Sequence, residues 1–275
     1  MSSIKIVADS SSNLTTLDGV DFAYASLKII TQDKEYTDNA ELDVTDMVNT
    51  LYKYSGKSST SCPNVSNWLA AFGDAENVVC FTMTSALSGT HNAACKAKEE
   101  YEKTHPERRV LIVDSLSTGP EMALMMEKCR ELISLGKSLD EIGKELPLYK
   151  TELLFVLESM KNLANNGRIS KIAAAAAGVL GVRAIGRASE KGTLEILSKH
   201  RGGTKTVQAL VEHAKSLGYN GGKLRISHCQ NEDFAKSFAD EIRIVFPSSQ
   251  ILIEECRALC SFYAEKGGML IGFEA

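Results

Sequence analysis

Four hydroxyl-rich segments stand out first, because a hydroxyl can donate to an anion and can also attack a carbonyl. They are Asp9-Ser10-Ser11-Ser12, Ser58-Ser59-Thr60-Ser61, the run at 84–90 that ends in Ser88-Gly89-Thr90, and Asp114-Ser115-Leu116-Ser117-Thr118. A serine nucleophile on a sharp turn needs glycine two residues before it, and Ala86 stands there instead. His91 is close to Ser88 in sequence, but no acidic partner can be assigned to it. A serine hydrolase built on Ser88 is therefore unsupported. Gly56-Lys57-Ser58 and Gly136-Lys137-Ser138 end like phosphate-binding loops, yet Leu51 and Glu131 replace the glycine each would need five residues earlier. No GxGxxG follows the first strand, so a dinucleotide site is unsupported. An anion at the start of the helix expected after Ser88 would meet free backbone N–H groups, and Gly89 would let the backbone come close. On the residues alone the stronger reading is the plain one, that Thr60 and Ser88 only cap helices, as most such residues do.

The seven cysteines contain no CxxC pair and read as reduced thiols, with Cys80, Cys95 and Cys129 as buried structural ones. Cys256 and Cys260 share a possible helix face, but no His or third Cys completes a zinc set, so no metal is expected. With 35 acidic against 31 basic residues, the net charge of -4 opposes binding to nucleic acid or to anionic lipid surfaces. The first residues lead straight into a strand pattern, and the most apolar run, 172–182, is far shorter than the roughly 20 residues a bilayer crossing needs. Neither an export signal nor stable membrane insertion is expected, which places the chain in the cytoplasm.

The elements that must position these residues alternate. Residues 4–8 read as a strand and 22–30 as a second one; Asp43 caps a helix carrying Val44, Met47, Val48, Leu51 and Tyr52, which Gly56 ends. Asn64 or Ser66 caps a short helix with Trp68 and Phe72, 77–83 is a buried strand, and helix, strand and helix follow up to Gly136. Such alternation predicts a mainly parallel sheet wrapped by helices, with the hydroxyl-rich loops on one rim at the strands' carboxyl ends. Near 147–151 the pattern resets. A strand at 153–157, a polar turn at 162–167, a helix at 170–179 and further strands and helices to 273 describe a second α/β domain. The expected division is 1–150 and 151–275. The alanine run at 173–177 reads as tight helix packing.

Several motifs together resemble the bacterial DegV family: Ile6-Val7-Ala8-Asp9-Ser10-Ser11, Thr60-Ser61-Cys62-Pro63, Leu87-Ser88-Gly89-Thr90, Val113-Asp114-Ser115, Asn166-Gly167-Arg168-Ile169, and the closing Lys266-Gly267-Gly268-Met269-Leu270-Ile271-Gly272. They span nearly the whole chain in a specific order. The resemblance implies two α/β domains with a long-chain fatty acid between them and no other cofactor. It further implies a non-catalytic lipid-carrying subunit that presents the acyl carboxylate to a separate ATP-dependent kinase subunit, which makes acyl-phosphate. A lipid sensor without a kinase partner is the alternative, and an enzyme acting on an acyl ligand through Ser88 is the weaker one. Carried over by residue, the carboxylate site would comprise Thr60, Ser61, Ser88 and Gly89. Tyr263 replaces the histidine of a closing His-x-Gly-Pro-Gly, where Glu265 and Lys266 also depart from the pattern. Its hydroxyl can donate in place of the imidazole, or the ring can serve as a core aromatic.

The implied acyl chain needs an apolar tunnel. Met122, Met125, Met126, Phe155, Leu157, Leu163 and Ile169 are its candidate walls, or else ordinary core. Between Arg168 and Lys205 eight cationic residues, Lys171 among them, stand against Glu190 and Glu195. Such a stretch is commonly a solvated face; under the resemblance it becomes the surface that meets the kinase, with Arg201 as its anchor.

Overall fold

A strand buried on both faces must be apolar at every position, and Ile6, Val7 and Ala8 meet that demand with no exposure at all. In the computed structural model, which describes residues 4–170 and 181–275, they belong to β1 (Ile4–Asp9). With β2 (Asp21–Ala25), β6 (Asn77–Thr82) and β7 (Arg109–Asp114) it forms a parallel sheet ordered β2-β1-β6-β7. On one face Ile6, Ala8, Val79 and Phe81 pack against α4 (Gly119–Ser134) and α5 (Leu139–Glu145). On the other, Val7, Val78 and Cys80 pack against α2 (Val65–Phe72) and α3 (Thr90–Thr104).

The expected strand over 22–30 is two strands in different sheets. After β2, the chain turns at 26–27, and β3 (Lys28–Ile30) pairs antiparallel with β4 (Glu35–Thr37) and β5 (Ser59–Ser61). The order is β4-β3-β5, so Ser59-Thr60-Ser61, read above as a loop, is a strand. Residues this short and polar carry no strand period of their own; the pairing partner makes the strand. Helix α1 (Val44–Lys53) has Asp43 as its cap as expected, its carboxylate accepting from Asp46 N–H at 2.9 Å, though Tyr52 lies 73% exposed. For α2 the cap is Asn64; Ser66 only donates to it.

From residue 151 a second, six-stranded sheet begins. It contains β8 (Thr151–Leu157), β9 (Val182–Ala188), β10 (Leu194–Arg201), β11 (Lys223–His228), β12 (Gln250–Glu255) and β13 (Met269–Glu274). The order is β10-β9-β8-β13-β11-β12, antiparallel except for β11 with β12. Helices α7 (Gly203–Ser216) and α8 (Glu232–Val245) cover the face bearing Leu154, Val156, Leu224 and Ile226. The polar turn expected at 162–167 begins as a short helix, α6 (Lys161–Asn165). The helix expected over 170–179, with Lys171 and the alanine run, lies outside the described residues.

Helix α4 joins the two halves by packing one side on the parallel sheet and the other on the six-stranded sheet. Gly272 of β13 makes this possible, because a Cβ there would lie 2.4 Å from the backbone nitrogen of Glu121. Across the same seam Arg225, 6% exposed, is paired with Glu127 and Lys223 with Glu131, while Glu254 of the neighbouring strand β12 holds Arg225 from its own sheet. Opposite α7 and α8, the face of the six-stranded sheet bearing Leu153, Phe155, Leu157 and Leu270 meets α1 and α9 (Ala258–Ala264).

Candidate functional site

Alternation along β8 sends Leu153, Phe155 and Leu157 to one face, and above them lies a cavity of about 310 Å³. Helix α9 supplies Leu259, Cys260, Tyr263 and Ala264 to the opposite wall, and Leu163, Leu194 and Leu270 complete the apolar lining. A cavity of this size and lining suits an apolar ligand with one polar end. A second cavity of about 620 Å³, between β7 and residues 146–152, also has apolar walls but carries four carboxylates, Asp114, Glu121, Glu152 and Glu190, against Lys150 and Arg187.

The polar groups of the first cavity come from five separate segments. Thr60 and Ser61 arrive on β5, Ser88 and Gly89 on the loop before α3, Thr118 just before α4, Tyr263 on α9, and Arg168 after α6. The Thr60 hydroxyl lies 2.7 Å from the Tyr263 hydroxyl, so one donates to the other. Burial pushes the Tyr263 phenol up from its ordinary value, with Thr60 and the Arg168 cation pulling the other way. It therefore stays a neutral donor at physiological pH. Ser88 Oγ accepts from Thr90 N–H at 3.3 Å, the turn role of the plain reading, and keeps its own proton for a ligand. Gly89, which caps helix α3 without a side chain, lines the cavity, so the positive end of that helix lies at this rim. Arg168 is oriented by Nε donating to the Leu87 carbonyl at 3.1 Å and by a second bond to the Asn166 carbonyl. Ser61 and Gly89 are exposed whereas Phe155 and Leu157 are buried, so the polar end opens outward and the apolar end is closed.

The structure thus brings together all five residues assigned to the carboxylate site, with Phe155, Leu157 and Leu163 from the expected tunnel. It does not bring in the methionines. Met122 and Met126 face the parallel sheet in the core beneath α4, fully buried, and Met125 lines the other cavity; the helical period of α4 correctly marked an apolar face, but that face belongs to a different core. Ile169 packs beside the β8 cluster without lining the cavity. Of the other hydroxyl-rich loops only Thr118 reaches the wall. Asp9 turns inward instead, accepting from Met83 N–H at 2.8 Å and from Ser11, and burial pushes its pKa up to about 6.

Arg168 was missed as a site residue; it appeared only within a motif and a charge count, although a cation just after an Asn-Gly turn between apolar segments is a usable signal. Cys62 also lines the cavity. Cys95 is half-buried, and the ring of His91 is engaged by Thr82 at 3.1 Å and by Cys95 at 3.6 Å, turned from Ser88. Arg201 ends β10 on an exposed edge, remote in sequence and sheet position from these residues. Among the described residues no group of three or more His, Cys, Asp or Glu could hold a metal, and no helix is long and apolar enough to cross a membrane.

Comparison with known proteins sets this geometry in context. A family profile described as "Uncharacterised protein, DegV family" matches residues 3–275. The chain is 40% identical over 276 residues to a DegV domain-containing protein of Streptococcus pneumoniae, covering 98% of each. Its structure is similar, with TM-score 0.97, to a DegV family protein from Eubacterium eligens loaded with heptadecanoic acid, at 40% identity over 99% of each chain. It is similar, with TM-score 0.96 and again 40% identity over 99% of each chain, to the Streptococcus pneumoniae Fatty Acid Kinase (Fak) B3 protein loaded with linoleic acid.

Proposed function

Since this chain belongs to the DegV family, we propose that it binds one long-chain fatty acid in the cavity between its two α/β domains and presents the carboxylate to a separate ATP-dependent kinase subunit. The single observation that carries the reading is the cavity's polarity: apolar walls from β8 and α9, with Thr60, Ser61, Ser88, Tyr263 and Arg168 gathered at the end that opens outward. The fatty acids held by the solved relatives of the same fold support it.

In this reading Thr60, Ser61, Ser88 and Tyr263 donate to the carboxylate. The Gly89 backbone and the start of α3 supply N–H groups, and Arg168 supplies a positive charge. An acid anion needs such donors because its removal from water must be offset by bonds. The chain itself performs no covalent step. A kinase must reach a carboxylate oxygen, and a headgroup at the exposed rim allows that while the tail stays enclosed. The kinase would dock on the cationic stretch that includes Arg201, and its ATP places the work in the cytoplasm. Titration with a fluorescent fatty acid tests the binding claim: saturable binding is expected for the wild type, and Ser88→Ala should weaken it by roughly tenfold or more without unfolding. Ser88→Ala binding as tightly as wild type, with an unchanged melting midpoint, would reduce Ser88 to a turn residue.

A further inference from the structure

Helix α9 supplies four cavity-lining residues but spans only seven, too few to hold a helical shape unaided. Other segments fix both of its ends. At the C-terminal end Asn162 N–H donates to Glu265 Oε1 at 2.9 Å, and the Asn162 side chain donates to the Phe262 carbonyl at 2.8 Å. At the N-terminal end Asp38 receives the N–H of Ala258 at 3.2 Å on one carboxylate oxygen and that of Leu259 at 3.0 Å on the other. Beside it Asn13 Oδ1 receives the N–H of Arg257 at 2.9 Å. Asp38 is only 1% exposed, a costly place for a carboxylate unless bonds of this kind and the positive end of the helix offset the lost hydration.

The location of Asp38 gives these bonds a consequence. It follows β4 directly, and its own N–H donates to the Leu27 carbonyl at 2.9 Å. Tyr36 of β4 pairs with Ile29 of β3, and Ile29 pairs with Thr60 of β5. One small sheet therefore carries both Thr60 and the anchor of the helix bearing Tyr263, and the loop closes where their hydroxyls meet at 2.7 Å. We propose that Asp38 is a positioning residue for the carboxylate site: by fixing the start of α9 it sets Tyr263 against Thr60. This inference rests on the fatty-acid reading above. Asp38 itself lines no part of the cavity.

The test is a double-mutant cycle with Tyr263, read as fatty-acid affinity by titration. Asp38→Asn keeps the shape and one acceptor while removing the charge. It should weaken binding about three- to tenfold in the wild type and less than about twofold in the Tyr263→Phe background, because residues acting through one contact are not additive. A merely structural role would give the same loss in both backgrounds. Asn13→Gly offers a second route to the same helix end without strain at its positive φ of 65°, and should show the same pattern. Equal losses in both backgrounds, or none in either, would overturn the role of Asp38 while wild-type binding stands. A wild type that binds no fatty acid would instead overturn the reading beneath it.

Discussion

Replacing Tyr263 by phenylalanine removes one oxygen and leaves the ring, whose edge packs on Phe262 with centroids 4.9 Å apart. Two effects follow from the 2.7 Å contact with Thr60. In the ligand-free protein a partly buried hydroxyl pair is lost, which costs about 1 kcal/mol and lowers Tm by about 2 °C for a chain of this length. In the complex the carboxylate loses a neutral donor, and hydrogen bonds to charged groups contribute about 1.5 to 3 kcal/mol. The polar end opens outward, so a water can fill part of the gap and the loss should sit near the lower bound, about tenfold in affinity. Isothermal titration of delipidated protein with a long-chain fatty acid measures the affinity, and calorimetric melting measures the stability. An affinity within twofold of wild type, with the fold intact, would refute the reasoning and make Tyr263 a wall aromatic only.

Two further outcomes follow from other parts of the molecule. Arg201→Glu should leave fatty-acid binding unchanged yet abolish acyl-phosphate formation in a coupled assay with a cognate kinase subunit, since reversing a charge at an interface replaces attraction with repulsion; phosphorylation at the wild-type rate would remove Arg201 from the docking surface. Glu121, 5% exposed and bonded to Thr151 at 2.9 Å, has its pKa pushed by burial from 4.5 to about 7. A carboxyl raised in this way contributes its full stability below the unfolded value and loses it as pH climbs through about 7. Glu121→Gln keeps the acceptor without the charge, so its advantage over wild type should grow from pH 5 to pH 8 by up to about 3 kcal/mol in denaturant titrations. A constant difference across that range would show that Glu121 ionises freely.

The legible parts of the chain were those with a strong period or a specific cap. The boundaries of β11 and the cap Asp43 follow from the sequence, because each local signal agrees with the fold, and Asn64 was one of the two caps it offered for α2. The three-stranded sheet does not follow, because Glu35–Thr37 and Ser59–Ser61 become strands only by pairing with β3. At the site the same division holds. Ser88 and Thr60 were visible as hydroxyls on loops and through the family resemblance, whereas Asp38 acts on a helix some 220 residues away, a relation no local pattern carries. The methionines of α4 show the limit of periodicity: it identifies a buried face without saying which of two packed layers receives it.

The central claim is that this cavity holds a fatty acid, and mass spectrometry of lipid released by denaturing protein purified from a bacterial host tests it most directly. One long-chain fatty acid per chain is expected, with Ser88→Ala and Tyr263→Phe proteins carrying less. Protein that releases no acyl ligand, and that takes none up when fatty acid is supplied, would contradict the account.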